Sequence, residues 1–348
     1  MKKRVVSVLM TTLLACGMWT GTVYAADVAE ENADAAKELT PSDDAISAAK
    51  GKTFAYVTPS TTTPYWNWVE YGVQAQCDEY GIELIVYDSK DDSATQLSNV
   101  QNAITRGVDG IIISPTDSAS CPAVQDEAES ADVPLVVCDV GSDEDNYLTY
   151  VSTDNYGGAK AVGEYLGEYL KDKGLEGSIG EITIPLSRIN GQKRSSGFAD
   201  GLAESGYEVS TVLESSDYTM DEADGQARNI ATANPDLIAI FANHDAATNG
   251  TMAALDDLGL GADAGDDQVF VASFDGSTEC VEALKNGECL VCGAQQAKNL
   301  GKQSVKAIAM DLNDEEVAKQ VLLDVVLLTA DNVNDYTDFI EENVCTVE

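Results

Sequence analysis

Residues 53–87 read TFAYVTPSTTTPYWNWVEYGVQAQCDEYGIELIVY. Residues 54–57 are a short apolar run, 58–64 are rich in turn formers, 65–80 carry apolar residues at helical spacing, and 83–87 are apolar again. That pattern is one β-α-β unit. Its right-handed crossover puts the loop leaving the first strand at the carboxyl edge of a parallel sheet, where open α/β folds bind ligands. The loop carries Thr63, Pro64, Tyr65 and Trp66 and is expected to form the lip of a small-molecule cleft, with Trp68 facing away.

The rest of the chain repeats the unit. Ser93 caps an expected helix with Leu97, Val100 and Ile104 on one face, and Gly107 stops it. Strands follow at 111–114, 135–138 and 147–152, each delivering polar residues to the same edge. The pattern then starts over, with strands at 178–184, 207–214, 237–241, 269–274 and 290–294. Helices at 191–205, 222–234, 246–258 and 278–286 lie between these strands, and one at 297–312 follows the last. Two rounds of alternation imply an α/β fold of two similar Rossmann-like lobes with parallel sheets, and a ligand enclosed between them.

Both ends of the charge and length ledger narrow the function. The chain opens MKKR, runs apolar from residue 5 to 14 and reaches Val23-Tyr24-Ala25, which describes an export signal over 1–25 and is too short to span a membrane. Leu13-Leu14-Ala15-Cys16-Gly17 also resembles a bacterial lipobox with lipid on Cys16, so ordinary cleavage and lipidation both stand. Residues 26–50, rich in Ala, Glu, Asp and Asn, are expected to be an acidic disordered linker. Sixty acidic residues against twenty basic give a net charge of −40, which repels phosphate backbones and anionic lipid and argues against nucleic-acid binding. Seven cysteines follow Cys16. An odd number in a large core reads as buried free thiols rather than a disulfide framework, and Cys289-Leu290-Val291-Cys292 without a second pair is weak evidence for metal.

Six stretches, in this order and spacing, carry a resemblance. They are Thr63-Pro64-Tyr65-Trp66, Val108-Asp109-Gly110-Ile111-Ile112-Ile113-Ser114-Pro115-Thr116-Asp117, Ser152-Thr153-Asp154-Asn155-Tyr156-Gly157-Gly158, Arg194-Ser195-Ser196-Gly197-Phe198, Phe274-Asp275-Gly276 and Leu328-Thr329-Ala330-Asp331-Asn332-Val333. Over residues 51–336 the chain resembles the ribose-binding branch of the periplasmic sugar-binding proteins, the capture subunits of sugar ABC transporters. The resemblance implies the type 1 periplasmic binding protein fold. Its lobes would be joined by a three-segment hinge crossing near Thr153-Asp154, Gln295 and Val325. The N-terminal lobe would be 51–153 with 296–325, and the C-terminal lobe 154–295 with 326–348. It further implies a monomer that closes on a monosaccharide and docks on an ABC permease, in the periplasm or at the outer face of the cytoplasmic membrane. Regulators of the lac repressor type share this core but begin with a helix-turn-helix, whose place is taken here by the export signal and acidic segment.

A sugar offers hydroxyls and C–H faces, so its site needs planar polar groups and rings. The resemblance implies that Tyr65 and Trp66 sandwich a sugar face, although Trp66 with Val69 and Val73 also fits helix core. Asp139, a carboxylate ending an apolar strand, is expected to accept two hydroxyls, with Val140 where the family often has Arg. Arg194 matches a ligand Arg, against the alternative of a surface Arg on an amphipathic helix. His244, the single histidine, stands where the family usually has Asn and reads as a ligand hydrogen-bonder or as a loop histidine. Phe274, Asp275 and Gln295 match an aromatic, a second carboxylate and a hinge-side amide. Thr153 and Ser114 fall at polar contacts, and Tyr218 completes the set. Thr63, Ser114, Val140 and His244 depart from the family pattern.

Other chemistries leave little trace. Gly51-Lys52-Thr53 lacks the first Gly of a P-loop and precedes its strand, no serine elbow or H-E-x-x-H occurs, and the acid run 263–267 lacks the alternation of a calcium loop. No cofactor, metal or catalytic residue is expected. Two alternatives use the same residues. A glycosidase would set Asp139 and Asp275 about a glycosidic bond, and a sensor module would present its ligand to a chemoreceptor or sensor kinase.

Overall fold

The computed structural model describes residues 35–345. The expected export signal, Cys16 and the start of the acidic segment lie outside the described residues. Helix α1 (Asp43–Ala49) leads into β1 (Thr53–Thr58), α2 (Pro64–Tyr80), β2 (Glu83–Asp88), α3 (Ser93–Arg106), β3 (Gly110–Ile113), α4 (Cys121–Ser130), β4 (Leu135–Cys138) and β5 (Thr149–Thr153). The alternation resumes with α5 (Asn155–Lys173), β6 (Ser178–Thr183), α6 (Ile189–Glu204), β7 (Val209–Glu214), α7 (Met220–Ala233), β8 (Leu237–Ala242), α8 (Asp245–Leu258) and β9 (Phe270–Asp275). It ends with α9 (Thr278–Asn286), β10 (Val291–Ala294), α10 (Ala297–Asp311), β11 (Gln320–Leu323), β12 (Val326–Thr329) and α11 (Thr337–Asn343).

Two six-stranded sheets result, in the orders β11-β5-β4-β3-β1-β2 and β12-β10-β9-β8-β6-β7. Every pairing is parallel except β12 against β10. In the first sheet the strand order reverses beside β1 and in the second beside β6, so both switch points face the same cleft. The chain passes between the sheets after β5, after β10 and after β11.

The opening unit forms because local signals agree. Pro64 starts α2 with its φ already helical, and Gly81 closes it at φ 72°, a left-handed turn that costs glycine nothing. The cap of α3 is Asp92, whose side chain accepts the Thr95 N–H, and not the expected Ser93. Helix α10 returns to the first lobe and lies against α2. A Cβ at Gly72 would sit 1.9 Å from Lys298 O, and one at Gly301 would sit 2.3 Å from Val69 O. Only hydrogen at both positions allows that approach.

From residue 35 to 50 the structure corrects the expected disordered linker. Ala36 bridges to Val321, with Ala36 N donating to Gln320 O at 3.0 Å and Leu322 N to Ala36 O at 2.8 Å. Leu39 is buried and donates its N–H to Gln303 Oε1, and α1 buries Ala45 and Ala49. The free edge of β11 supplies backbone partners that a composition argument does not count.

Candidate functional site

Between the lobes lies a cavity of about 370 Å³, into which both sheets deliver their carboxyl ends. From the first lobe come the loop after β1 and the residue after β4. Tyr65 Oη donates to Asp139 Oδ2 at 2.6 Å. Asp139 is 1% exposed and takes φ 68°, a conformation that turns its side chain off the strand direction. The Tyr150 hydroxyl donates to its carbonyl, and its N–H reaches Val151 O. Burial raises the Asp139 pKa, while Arg194 and the Tyr65 hydrogen bond hold it back. The Tyr65 hydroxyl is itself pushed up, first by burial and then by Asp139.

Tyr65 and Trp66 both line the cavity. They do not make the expected sandwich. Their rings stand edge to face, 77° apart with centroids 5.0 Å apart, so nothing fits between them. Trp66 is also core, packed with Val69 and Val73. Trp68 lies away from the cavity under Lys298 Nζ.

The second lobe contributes a hub. Arg194, on α6 and 2% exposed, donates from Nε to Asn155 Oδ1 and from Nη1 to Asn243 O and Asp275 Oδ1, with its guanidinium 4.3 Å over the Phe274 ring. It is therefore not a surface Arg. Asp275, at φ 90° on the end of β9, also takes Gln295 Nε2 on Oδ1 and Asp245 N on Oδ2. Asp139, Arg194 and Asp275 reach the cavity wall. Phe274 and Gln295, fully buried, form the layer behind it, and Gln295 Oε1 has no partner.

His244 is brought to the wall, but its expected hydrogen bond to a ligand is corrected. It caps α8, Nδ1 accepting the Ala247 N–H, and Nε2 meets Ser215 Oγ at 2.9 Å. With Nδ1 accepting, Nε2 carries the proton and donates it to Ser215, so both nitrogens are engaged inside the protein. Burial drives its pKa down to about 4. The imidazole offers the cavity only its ring, edge-on to Tyr218 at 5.8 Å. Tyr218, at φ 52°, lies under the Arg188 guanidinium, and burial lifts its hydroxyl to about 12.

Ser114 and Thr153 are corrected as well. Ser114 is fully buried, bonded to the Tyr56 hydroxyl at 3.1 Å, and sits behind the wall. Thr153 is buried at the first crossing between lobes with no partner for its hydroxyl. Thr63 does line the cavity, ahead of α2.

Of the wall residues that the sequence does not single out, two reach from one lobe to the other. Asn190 donates to Asp139 Oδ1 at 3.2 Å, and Arg188 donates to Thr116 O at 2.9 Å, both from the second lobe to the first. The sequence signal for them is Ser187-Arg188-Ile189-Asn190, which forms the cap and first turn of α6, two residues ahead of the helix expected at 191–205. Among the described residues no cluster of three or more His, Cys, Asp or Glu is arranged to hold a metal, and the acid run falls in a 3₁₀ turn at Ala262–Asp267 with no buried residue. The seven cysteines from Cys77 to Cys345 are buried and free. What the wall supplies is carboxylate acceptors beside amide and guanidinium donors and rings, a surface suited to a neutral ligand dense in hydroxyls.

Comparison with known proteins agrees with this chemistry. The profile of the periplasmic binding protein domain family matches residues 54–316. The chain is 28% identical over 276 residues to the ribose import binding protein of Salmonella typhimurium, covering 79% of this chain and 90% of that one. An ABC transporter solute binding protein from Bacillus halodurans, solved with bound myo-inositol, is similar at TM-score 0.73 and 25% identity, covering 83% of this chain and 98% of that one. A periplasmic solute binding protein from Actinobacillus succinogenes, solved with bound D-allose, shares the fold at TM-score 0.75 and 23% identity, covering 82% of this chain and all of that one.

Proposed function

Because this chain belongs to the periplasmic binding protein family, we propose that it captures a monosaccharide between its two lobes and delivers it to the permease of an ABC importer. The observation that carries the reading is the meeting of Asp139 from one lobe with Arg194 and Asn190 from the other around a single cavity. Closing the lobes brings acceptors and donors together on one small polyhydroxyl molecule, and binding then shifts the population toward the closed form. The relatives carry names of import binding proteins, which supports capture without turnover.

Tyr65, Trp66, Asp139, Asn190 and Arg194 are the proposed ligand contacts, with Phe274, Gln295 and Asp275 holding Arg194 in place. The protein acts as a monomer outside the cytoplasmic membrane, exported by its first 25 residues, with Cys16 the lipid anchor if the lipobox is used. The ligands named for the relatives range from a pentose to a cyclitol. A thermal-shift screen of the mature chain therefore needs pentoses, hexoses, deoxy-sugars, cyclitols and amino acids. A ligand at 100 times its Kd adds about 2.7 kcal/mol, a shift of several degrees. The expected result is a response to one sugar or cyclitol that Asp139→Ala removes. A response to an amino acid alone would overturn the sugar reading.

A further inference from the structure

We infer that Asn190 is a specificity-determining residue of this cleft, reading from the second lobe whether the ligand group resting on Asp139 is a hydroxyl. The inference rests on the sugar-binding reading and takes it to the chemistry of one ligand position.

Asn190 is 3% exposed, in the first turn of α6. Its Oδ1 accepts the Gly191 N–H at 3.0 Å. An amide nitrogen cannot accept that bond, so the orientation of the side chain is decided and Nδ2 faces the first lobe. Nδ2 donates to Asp139 Oδ1 at 3.2 Å. Its neighbours hold it there: Arg188 Nε donates to Thr116 O at 2.9 Å and Ile189 N to Ser118 Oγ at 3.2 Å. Residues 188, 189 and 190 are thus each tied to a loop leaving β3 or β4. The amide meets Asp139 in one register, and only with the lobes together.

An ionised carboxylate only accepts, and the remaining Nδ2 hydrogen of Asn190 can only donate. Side by side they present one acceptor and one donor to the same ligand position. A hydroxyl satisfies both, giving its proton to Asp139 and taking one from Asn190. An ammonium group leaves the amide hydrogen without an acceptor, an ether oxygen leaves Asp139 without a proton, and a deoxy carbon leaves both unpaired. A buried polar group left unpaired is penalised more than a paired one is rewarded, which makes this a selective position. Val140, fully buried beside Asp139, adds no donor from the first lobe. Besides Asn190, Asp139 faces the Tyr65 hydroxyl on α2, Arg194 and Arg188 from the α6 side, and Asp275 from β9.

Isothermal titration of the mature chain tests this, using the sugar with the largest thermal shift and its deoxy and amino analogues at each position. The wild type should discriminate against the analogues of one position by about 100-fold or more. Asn190→Ala should bind the parent sugar about tenfold more weakly and cut that preference to below about tenfold, leaving preferences at other positions unchanged. Asn190→Asp, nearly the same shape, sets a second carboxylate against Asp139. Its affinity should fall at pH 8 and recover in part at pH 5, where the pair holds a proton. Melting of the unliganded variants runs in parallel, and Asn190→Ser replaces Asn190→Ala if the latter does not fold. Equal weakening of parent and all analogues, with no pH effect, would overturn the inference and leave Asn190 a strap between lobes. A wild type that binds a sugar but tolerates every substitution would overturn it alone. A wild type silent to all sugars would sink the sugar-binding reading along with it.

Discussion

Arg194 Nη1 donates to Asp275 Oδ1 at 2.9 Å, and the two side chains are 3% and 8% exposed. An ion pair this deeply buried is held by geometry: Asn155 Oδ1 and Asn243 O accept two further Arg194 hydrogens, and Gln295 Nε2 donates to Asp275. Arg194→Ala leaves Asp275 buried with its charge uncompensated, and is expected to cost about 3–5 kcal/mol in urea denaturation. Arg194→Lys keeps the charge and loses the fork, so it should recover part of that stability without restoring ligand response. Equal stability of the alanine variant and wild type would mean that the pair is not formed in solution.

Glu181 lies on β6 with 1% exposure, accepting from Ser195 Oγ and Asn243 Nδ2 with no cation beside it. Burial raises its pKa to about 7. A carboxyl whose folded pKa is raised binds more protons folded than unfolded, so its contribution to stability is present below pH 4.5 and lost as pH rises to about 7. Glu181→Gln removes this dependence. Its stability relative to wild type should improve by about 3 kcal/mol between pH 4.5 and pH 8. A difference that stays flat with pH would show that Glu181 titrates normally.

His244 works in the opposite sense. Its folded pKa is lowered to about 4 by burial, so the unfolded chain takes up its proton first and stability falls as pH drops from 6.5 toward 4. Since the chain has one histidine, a single imidazole resonance reports it. That resonance should stay at its neutral position down to about pH 5 and show the Nε2–H tautomer. A titration midpoint near 6.5 would free the ring from Ser215 and return it to the list of ligand donors.

The first described residues make a prediction that composition alone would reverse. A chain beginning at Gly51 loses the buried Leu39, the α1 contacts of Ala45 and Ala49, and the Ala36 bonds to β11. Burial of one leucine contributes about 2 kcal/mol. The shortened chain should therefore melt several degrees lower than one beginning at Ala35. Matching melting temperatures would restore the view of residues 35–50 as a spacer.

Much of the site was legible because its key carboxylates end apolar strands. Asp139 after Val136-Val137-Cys138 and Asp275 after Ser273-Phe274 are local patterns, and strand ends in a parallel sheet share one edge. Arg194 was reached through resemblance, and its burial came from the structure. Ser114 also ends a strand, yet its side chain turns to Tyr56 behind the wall, because alternate strand residues point to opposite faces. The expected sandwich of Tyr65 and Trp66 failed for a similar reason: adjacent helical residues leave the axis about 100° apart, and here the two rings meet edge to face.

By itself the sequence determined the alternation of strands and helices, the two lobes and the edge at which polar residues gather, since these follow from hydrophobic period and chain-local signals. Only the tertiary structure decided which polar atoms remain available to a ligand. His244 lost both nitrogens to Ala247 and Ser215, the second 29 residues away, and Asn190 found Asp139 across 51 residues and two lobes. Whether a buried polar group is spent or free depends on partners that meet only when the chain is folded, and no periodicity in the sequence records that meeting.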